Sequence, residues 1–214
     1  GSSHGAPRII RLSYFEHPDF VPLLRRAYDL WRGLEADTGR NLYKETGLLQ
    51  VGSPDGPVIR GVLKSATRYR LPIEQLSPKE VHSRWPGFRV PDDMSAIHEQ
   101  RAGLLRVESC VDAHLQRALA AGASLATNCI ATGFHADAGA VRIESDAGAF
   151  HADKLIVAAG PWASQLLSGL GATFEIRRKS LFWYATDDPT YMADGSQNAS
   201  PGGFPCYYFG LSEG

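Results

Sequence analysis

Asp153-Lys154-Leu155-Ile156-Val157-Ala158-Ala159-Gly160-Pro161-Trp162 reads as a short buried strand, a tight turn and the start of a helix. Leu155, Ile156 and Val157 form an unbroken apolar run, the pattern of a strand covered on both faces. Ala158, Ala159 and Gly160 carry too little side chain to hold anything away from the backbone. Pro161 suits a first helical position, where its missing N–H is not needed, and the helix is expected from Trp162 to about Leu170. A strand–small residue–helix unit can rest a phosphate or a cofactor edge on backbone N–H groups. Taken alone it is more often an ordinary strand-to-helix turn.

Around this stretch, strands and helices alternate. Strand patterns are expected over residues 124–134, 140–145 and 150–159, separated by turns with Gly139 and Gly148. Before them, Ser109 is placed to cap a helix that Gly122 closes. Apolar residues at helical spacing predict helices over residues 18–36 and 58–70. Ser77-Pro78-Lys79-Glu80 predicts the start of a third, with a capping Ser, Pro in the first turn and Glu three residues on. Leu48-Leu49-Gln50-Val51, Ala96-Ile97-His98-Glu99 and Leu104-Leu105-Arg106-Val107 read as strands. So do residues 175–185, with Trp183 prominent, and the aromatic run Phe204–Phe209, which is expected to lack a partner. Hairpins beside strand–helix units imply an α/β (mixed α+β) fold in two interleaved parts.

The chain has 214 residues, a net charge of -1 and nearly equal numbers of acidic and basic groups, so it offers no electrostatic case for nucleic acid or an anionic membrane. No apolar run approaches the ~18 residues that span a bilayer. Three isolated cysteines, Cys110, Cys129 and Cys206, form no CxxC pair and no disulfide framework, which points to a reducing, cytoplasmic setting. The seven histidines contain no HExxH-type ligand pair, so no metal site is expected. No secretory h-region follows Gly1. Gly1-Ser2-Ser3-His4-Gly5, without an initiator Met, has the look of a tag remnant until the next residues are considered.

That segment continues into Arg8-Ile9-Ile10-Arg11, and the whole resembles the GS-x-HG-xx-R-[IL]-IR segment of the monomeric sarcosine oxidase family, which includes N-methyltryptophan oxidase and the sarcosine/pipecolate oxidases. Thr46-Gly47-Leu48-Leu49, Arg84-Trp85-Pro86-Gly87-Phe88-Arg89-Val90-Pro91, Gly103-Leu104-Leu105 and Asp153 through Trp162 are similar to the same family in the same order. Phe204-Pro205-Cys206 is similar to its pipecolate-oxidase branch. The resemblance runs over essentially the whole chain and makes the first five residues native ones.

The resemblance implies an FAD-binding, Rossmann-like domain interleaved with a smaller mixed-sheet substrate domain. Residues 1–42 and 104–172 would belong to the first, and 43–103 and 173–214 to the second. The family begins with a βαβ unit bearing GxGxxG, and no GxGxxG occurs here; the family's Tyr-Gly-[FL]-Pro and its oxygen-activating lysine are also missing. The chain is therefore expected to be an internal piece of a longer protein, and none of its three cysteines matches the flavin-linking position. A peroxisomal address is an alternative if the source is eukaryotic.

The implied reaction is oxidation of the C–N bond of an N-methyl or cyclic amino acid, with FAD taking a hydride and oxygen then giving hydrogen peroxide. Arg11 matches the family's carboxylate-gripping position, a task that suits the planar guanidinium fork. Arg8 matches the arginine beside the flavin ring, where a cation favours the reduced, anionic cofactor. His4 matches a histidine near the same ring, and Ser2 and Ser3 are candidate cofactor contacts. Ala131 falls where the family has a valine whose backbone meets the adenine, and Ala159, Gly160 and Trp162 lie by the cofactor. Tyr208 matches a position lining the substrate pocket. The bland readings are a surface ion pair for Arg11, a structural role for His4 and a sheet core for Tyr208. Alternatives to the oxidase are a D-amino-acid or glycine oxidase-like enzyme, a dehydrogenase on the same fold, or a non-catalytic remnant that binds no flavin.

Overall fold

The computed structural model describes residues 3–137, 139–167, 169, 171, 174–178, 180, 182, 184–188, 191 and 203–210. The chain divides into two compact units, one of Gly5–Ala113 with Trp183–Gly214, the other of Gly1–His4 with His114–Phe182.

The larger unit is built on two sheets. A three-stranded antiparallel sheet joins β1 (Pro7–Ile10), β6 (Gly103–Arg106) and β2 (Tyr43–Glu45) in the order β1-β6-β2. A four-stranded sheet has the order β10-β3-β5-β4, from Cys206–Gly210, Leu48–Gly52, Ser95–Glu99 and Glu74–Leu76. Every residue of β3 is buried, so the strand is covered on both faces. On one face Leu49, Val51 and Ala96 pack with Leu76, Val81, Trp85, Phe88 and Phe204. On the other, Ile97 packs with Ile59 and Val62 of helix α2 (Pro57–Tyr69). α2 comes close because residue 61 is glycine: a Cβ there would lie 2.7 Å from the Phe15 carbonyl carbon.

Helix α1 (Phe20–Thr38) buries Val21 and Tyr28 and leaves Leu23 and Leu30 exposed. It ends at Gly39, whose φ of 67° is the left-handed conformation that glycine adopts without a Cβ penalty. Helix α3 (Pro78–Arg84) starts as its sequence predicts: the Glu80 N–H donates to Ser77 Oγ, and the Glu80 carboxylate accepts from the Ser77 N–H.

The smaller unit carries the antiparallel meander β7-β8-β9, from Ala131–Asp137, Ala140–Ser145 and Gly148–Ala152, followed by a 3₁₀ turn over Gly160–Trp162 and the short helix α5 (Ala163–Leu166).

Five expectations need correction. Residues 155–157 form no strand, and Ile156 is 90% exposed; no strand among the described residues pairs with them, and an extended run becomes a strand only against a partner. The helix after Trp162 is one turn of α-helix rather than a run to Leu170. Ser109 caps nothing, because α4 (Val107–Ala120) begins two residues before it. The described residues of 175–185 are not in a strand; Leu181 and Trp183 lie outside the described residues. The aromatic strand β10 does have a partner, pairing in parallel with β3 from Cys206 opposite Leu48 to Gly210 opposite Gly52. The α/β character with several sheets is as expected.

Candidate active site

Within the larger unit, Arg11 follows β1 directly and is the residue around which the polar groups gather. Its side chain is 16% exposed and its guanidinium carbon lies 4.0 Å from the centre of the Tyr14 ring and 5.5 Å from that of Phe15. A cation over an aromatic face is held there by the ring quadrupole. Nη2 donates to both carboxylate oxygens of Glu16, at 3.1 and 3.2 Å. Nε is buried and has no partner among the described residues. Arg11 therefore keeps an unspent donor beside a carboxylate it already binds.

Tyr208 stands opposite Gln50 in the β10–β3 ladder, and its ring lies 5.4 Å from that of Phe15. Phe15 thus joins Arg11 to Tyr208. The Tyr208 side is partly open, at 42% exposure. Arg8 is on β1 opposite Leu105, half-buried, with Nη1 donating to the neighbouring Pro7 carbonyl at 3.1 Å.

Beneath Arg11 the next two residues are fixed by one buried carboxylate. Glu99, at the end of β5, accepts from the Leu12 N–H at 2.7 Å and from the Ser13 N–H at 2.8 Å, and also takes the Ser13 hydroxyl. Gln50 Nε2 donates to Ser13 Oγ at 3.0 Å, while the buried Gln50 Oε1 has no partner among the described residues. Tyr28 and Tyr43, packed with Leu12, both donate to the Arg101 carbonyl; burial pushes both phenols up and keeps them as donors. On the opposite face of the sheet the His98 ring lies tilted against that of Trp85, 5.0 Å away, and pairs with Glu74, and burial lowers its pKa. Burial likewise raises the Cys206 thiol, which lies 3.4 Å from the Thr46 hydroxyl.

In the smaller unit, Ala131 and Ala159 line one cavity of 260 Å³ with Gly133, Phe134, Ile143 and Leu166. Its walls are apolar and several of its side chains are small, so it has room for a flat ring. Gly160 and Trp162 form the adjoining turn, with Gly160 at φ 54° and Trp162 exposed. Ala131 is the residue expected at the adenine, and Ala159, Gly160 and Trp162 are those expected beside the cofactor; Ala131 and Ala159 share this cavity, and Gly160 and Trp162 do not line it. Ser3 and His4 are exposed, and Ser2 lies outside the described residues.

In the cluster around Arg11, sequence reasoning named only Arg11 and Tyr208. It missed Tyr14, Phe15, Glu16, Ser13, Glu99 and Gln50. Gln50 did carry a signal, a polar residue inside the apolar run Leu48–Val51. Glu99 carried none, because its partners lie far away in sequence. No helix among the described residues is long and apolar enough to cross a membrane.

Residues 1–209 match the family described as FAD dependent oxidoreductase. The chain is 38% identical over 96% of its length to a monomeric sarcosine oxidase of Streptomyces avermitilis, covering 56% of that protein. It is 33% identical over 96% of its length to an N-methyl-L-tryptophan oxidase of Yersinia pestis, covering 57% of it. Among solved structures it is similar to NikD, described as an unusual amino acid oxidase essential for nikkomycin biosynthesis, with a TM-score of 0.73 and 32% identity over 80% of this chain and 44% of that one. The chain thus spans about half the length of the relatives it matches.

Proposed function

The chain belongs to the FAD dependent oxidoreductase family, and on that premise we propose that it is part of an oxidase acting on the C–N bond of a small N-methyl or cyclic amino acid, such as sarcosine, N-methyltryptophan or pipecolate, to give an imine and hydrogen peroxide. The observation that carries this reading is the state of Arg11. Its guanidinium is mostly buried, stacked on Tyr14, already engaged with a carboxylate and still holding a free Nε donor. A substrate carboxylate that displaced Glu16 would find a pre-oriented fork, with little side-chain entropy left to lose. A surface ion pair would need neither the burial nor the stacking.

Bound FAD supplies the hydride acceptor, and the protein supplies orientation. Arg11 fixes the acid end of the substrate. Tyr208, held against Phe15, lines the side on which the amine-bearing carbon lies. Arg8 provides a cation on β1 that favours negative charge on the reduced ring system, and His4 and Ser3 precede it. Ala131 would meet the adenine through its backbone, a contact that tolerates alanine there, and Ala159, Gly160 and Trp162 would lie beside the cofactor. In this reading residues 1–42 and 104–172 serve the cofactor, and 43–103 and 173–214 the substrate.

The test is a substrate screen of the full-length, FAD-loaded protein, reading peroxide in parallel with dye reduction. Peroxide release with sarcosine, N-methyltryptophan or pipecolate is the expected result. Dye reduction without peroxide would make the protein a dehydrogenase. Turnover confined to glycine or D-amino acids would move it to the glycine oxidase-like alternative.

A further inference from the structure

The two residues after Arg11 end on a single buried side chain, and that arrangement has a consequence for how Arg11 works. Glu99 is 2% exposed. Its two oxygens take two successive backbone N–H groups, Leu12 on Oε1 and Ser13 on Oε2, and the Ser13 hydroxyl joins the second. A buried carboxylate is costly unless such donors surround it, and once they do, removing it strands them. The tie is long-range: residues 12 and 13 are anchored to the end of β5, a strand held between β3 and β4. Gln50 on β3 adds a second hold through Ser13 Oγ. Arg11 lies immediately before this anchor, and the rings that carry its guanidinium, Tyr14 and Phe15, lie immediately after it. The backbone on which both the cation and its aromatic seat depend is therefore set by Glu99.

We propose that Glu99 is a positioning residue for Arg11, fixing the guanidinium where it meets the substrate carboxylate. This rests on the reading of Arg11 as the carboxylate grip. An acid is needed at this position because two N–H donors converge on it. Glutamine would present one oxygen and one NH₂, setting a donor against either the Leu12 or the Ser13 N–H. Aspartate would keep both acceptors but fall short by one methylene.

The test is a double-mutant cycle in the full-length, FAD-loaded protein with sarcosine, or whichever amino acid the screen selects, as substrate. Acetate binding by calorimetry serves as a readout independent of turnover. Glu99→Gln is expected to raise KM and the acetate Kd together by about 10- to 100-fold, with a smaller change in kcat, since a grip on the carboxylate acts in ground and transition states alike. Glu99→Asp should recover part of the loss. In an Arg11→Met background Glu99→Gln should change neither quantity further, which a general loosening of the fold would not reproduce. Should Glu99→Gln fail to accumulate as folded flavoprotein, Ser13→Ala decides the matter, with an expected rise of about fivefold in both constants. Unchanged constants in the folded variants, or an equal multiplicative rise with and without Arg11, overturn the proposal. If Arg11→Met alone leaves KM and acetate binding as they were, the carboxylate reading itself fails, and that outcome is distinct.

Discussion

Leu49 in β3 is fully buried, and Ile156, in an apolar run of similar composition, is 90% exposed. The two residues stand for the two units. In the larger one, β3 is flanked by β10 and β5 and covered by side chains on both faces, so each position is set by several neighbours at once. In the smaller one, the meander β7-β8-β9 leaves most of its side chains in solvent, and the stretch before Gly160 pairs with no strand among the described residues. The contrast says what each unit can contribute to a site. The larger unit can hold a charged side chain to a fixed geometry, because a network of packed and hydrogen-bonded groups stands behind it. The smaller unit offers backbone and a smooth apolar hollow, which suits a ring that is gripped by shape.

The contrast can be broken most severely at Gly61. An alanine there drives its Cβ into the Phe15 carbonyl, a backbone group that cannot swing aside. Gly61→Ala should cost about 3 kcal/mol or more and shift the segment carrying Arg11, seen as a large fall in thermal midpoint with weaker substrate binding. Next in size is the paired comparison itself. Leu49→Ala should cost about 2–5 kcal/mol, whereas Ile156→Ala should stay within about 0.5 kcal/mol, both read by denaturant unfolding. Equal losses would mean that Ile156 is covered and the two units do not differ as described. Ser77→Ala removes the capping box of α3 and should cost about 1 kcal/mol without altering KM, since Val81 of α3 packs with Leu49 and Val51 on the face of the sheet opposite Gln50.

The smallest effect is the pH dependence of the larger unit. Burial lowers the pKa of His98 below its ordinary 6.5, against the pull of Glu74, so the folded chain binds fewer protons there than the unfolded one. Stability then declines as pH falls from about 6.5, and His98→Gln should flatten that decline. Arg84 holds Glu74 below the ordinary carboxylate range. Burial of Glu35 opposes its shift, but the Tyr43 and Leu42 N–H groups and Arg32 outweigh that and lower it too. Both carboxylates contribute above about pH 4.5 and lose that contribution in stronger acid, measurable as a second drop in the unfolding midpoint.

The same contrast separates what could be read in the sequence from what could not. Local signals held: the capping box of Ser77 and Glu80, the helical periodicity of α1 and α2, and the hairpin turns at Gly139 and Gly148 each depend on residues a few positions apart. Signals needing a distant partner did not hold. The aromatic strand at Cys206–Gly210 found its neighbour in β3, and the Leu155–Val157 run found none among the described residues, although both have strand composition. The site divides in the same way. Arg11 and Tyr208 could be named from the sequence because each matches a position in the family pattern. Glu99 was invisible, since a glutamate at a strand end shows nothing of the two N–H groups that a remote loop brings to it.

The most direct test of the central claim is the KM of full-length, FAD-loaded Arg11→Met for the amino acid that the wild type oxidises. Methionine keeps an apolar stem on the Tyr14 ring and deletes only the cationic fork. The account predicts a rise in KM of about 100-fold or more, with flavin content and thermal midpoint near those of the wild type. A KM within about twofold of wild type would contradict it and return Arg11 to the role of a half-buried ion pair with Glu16.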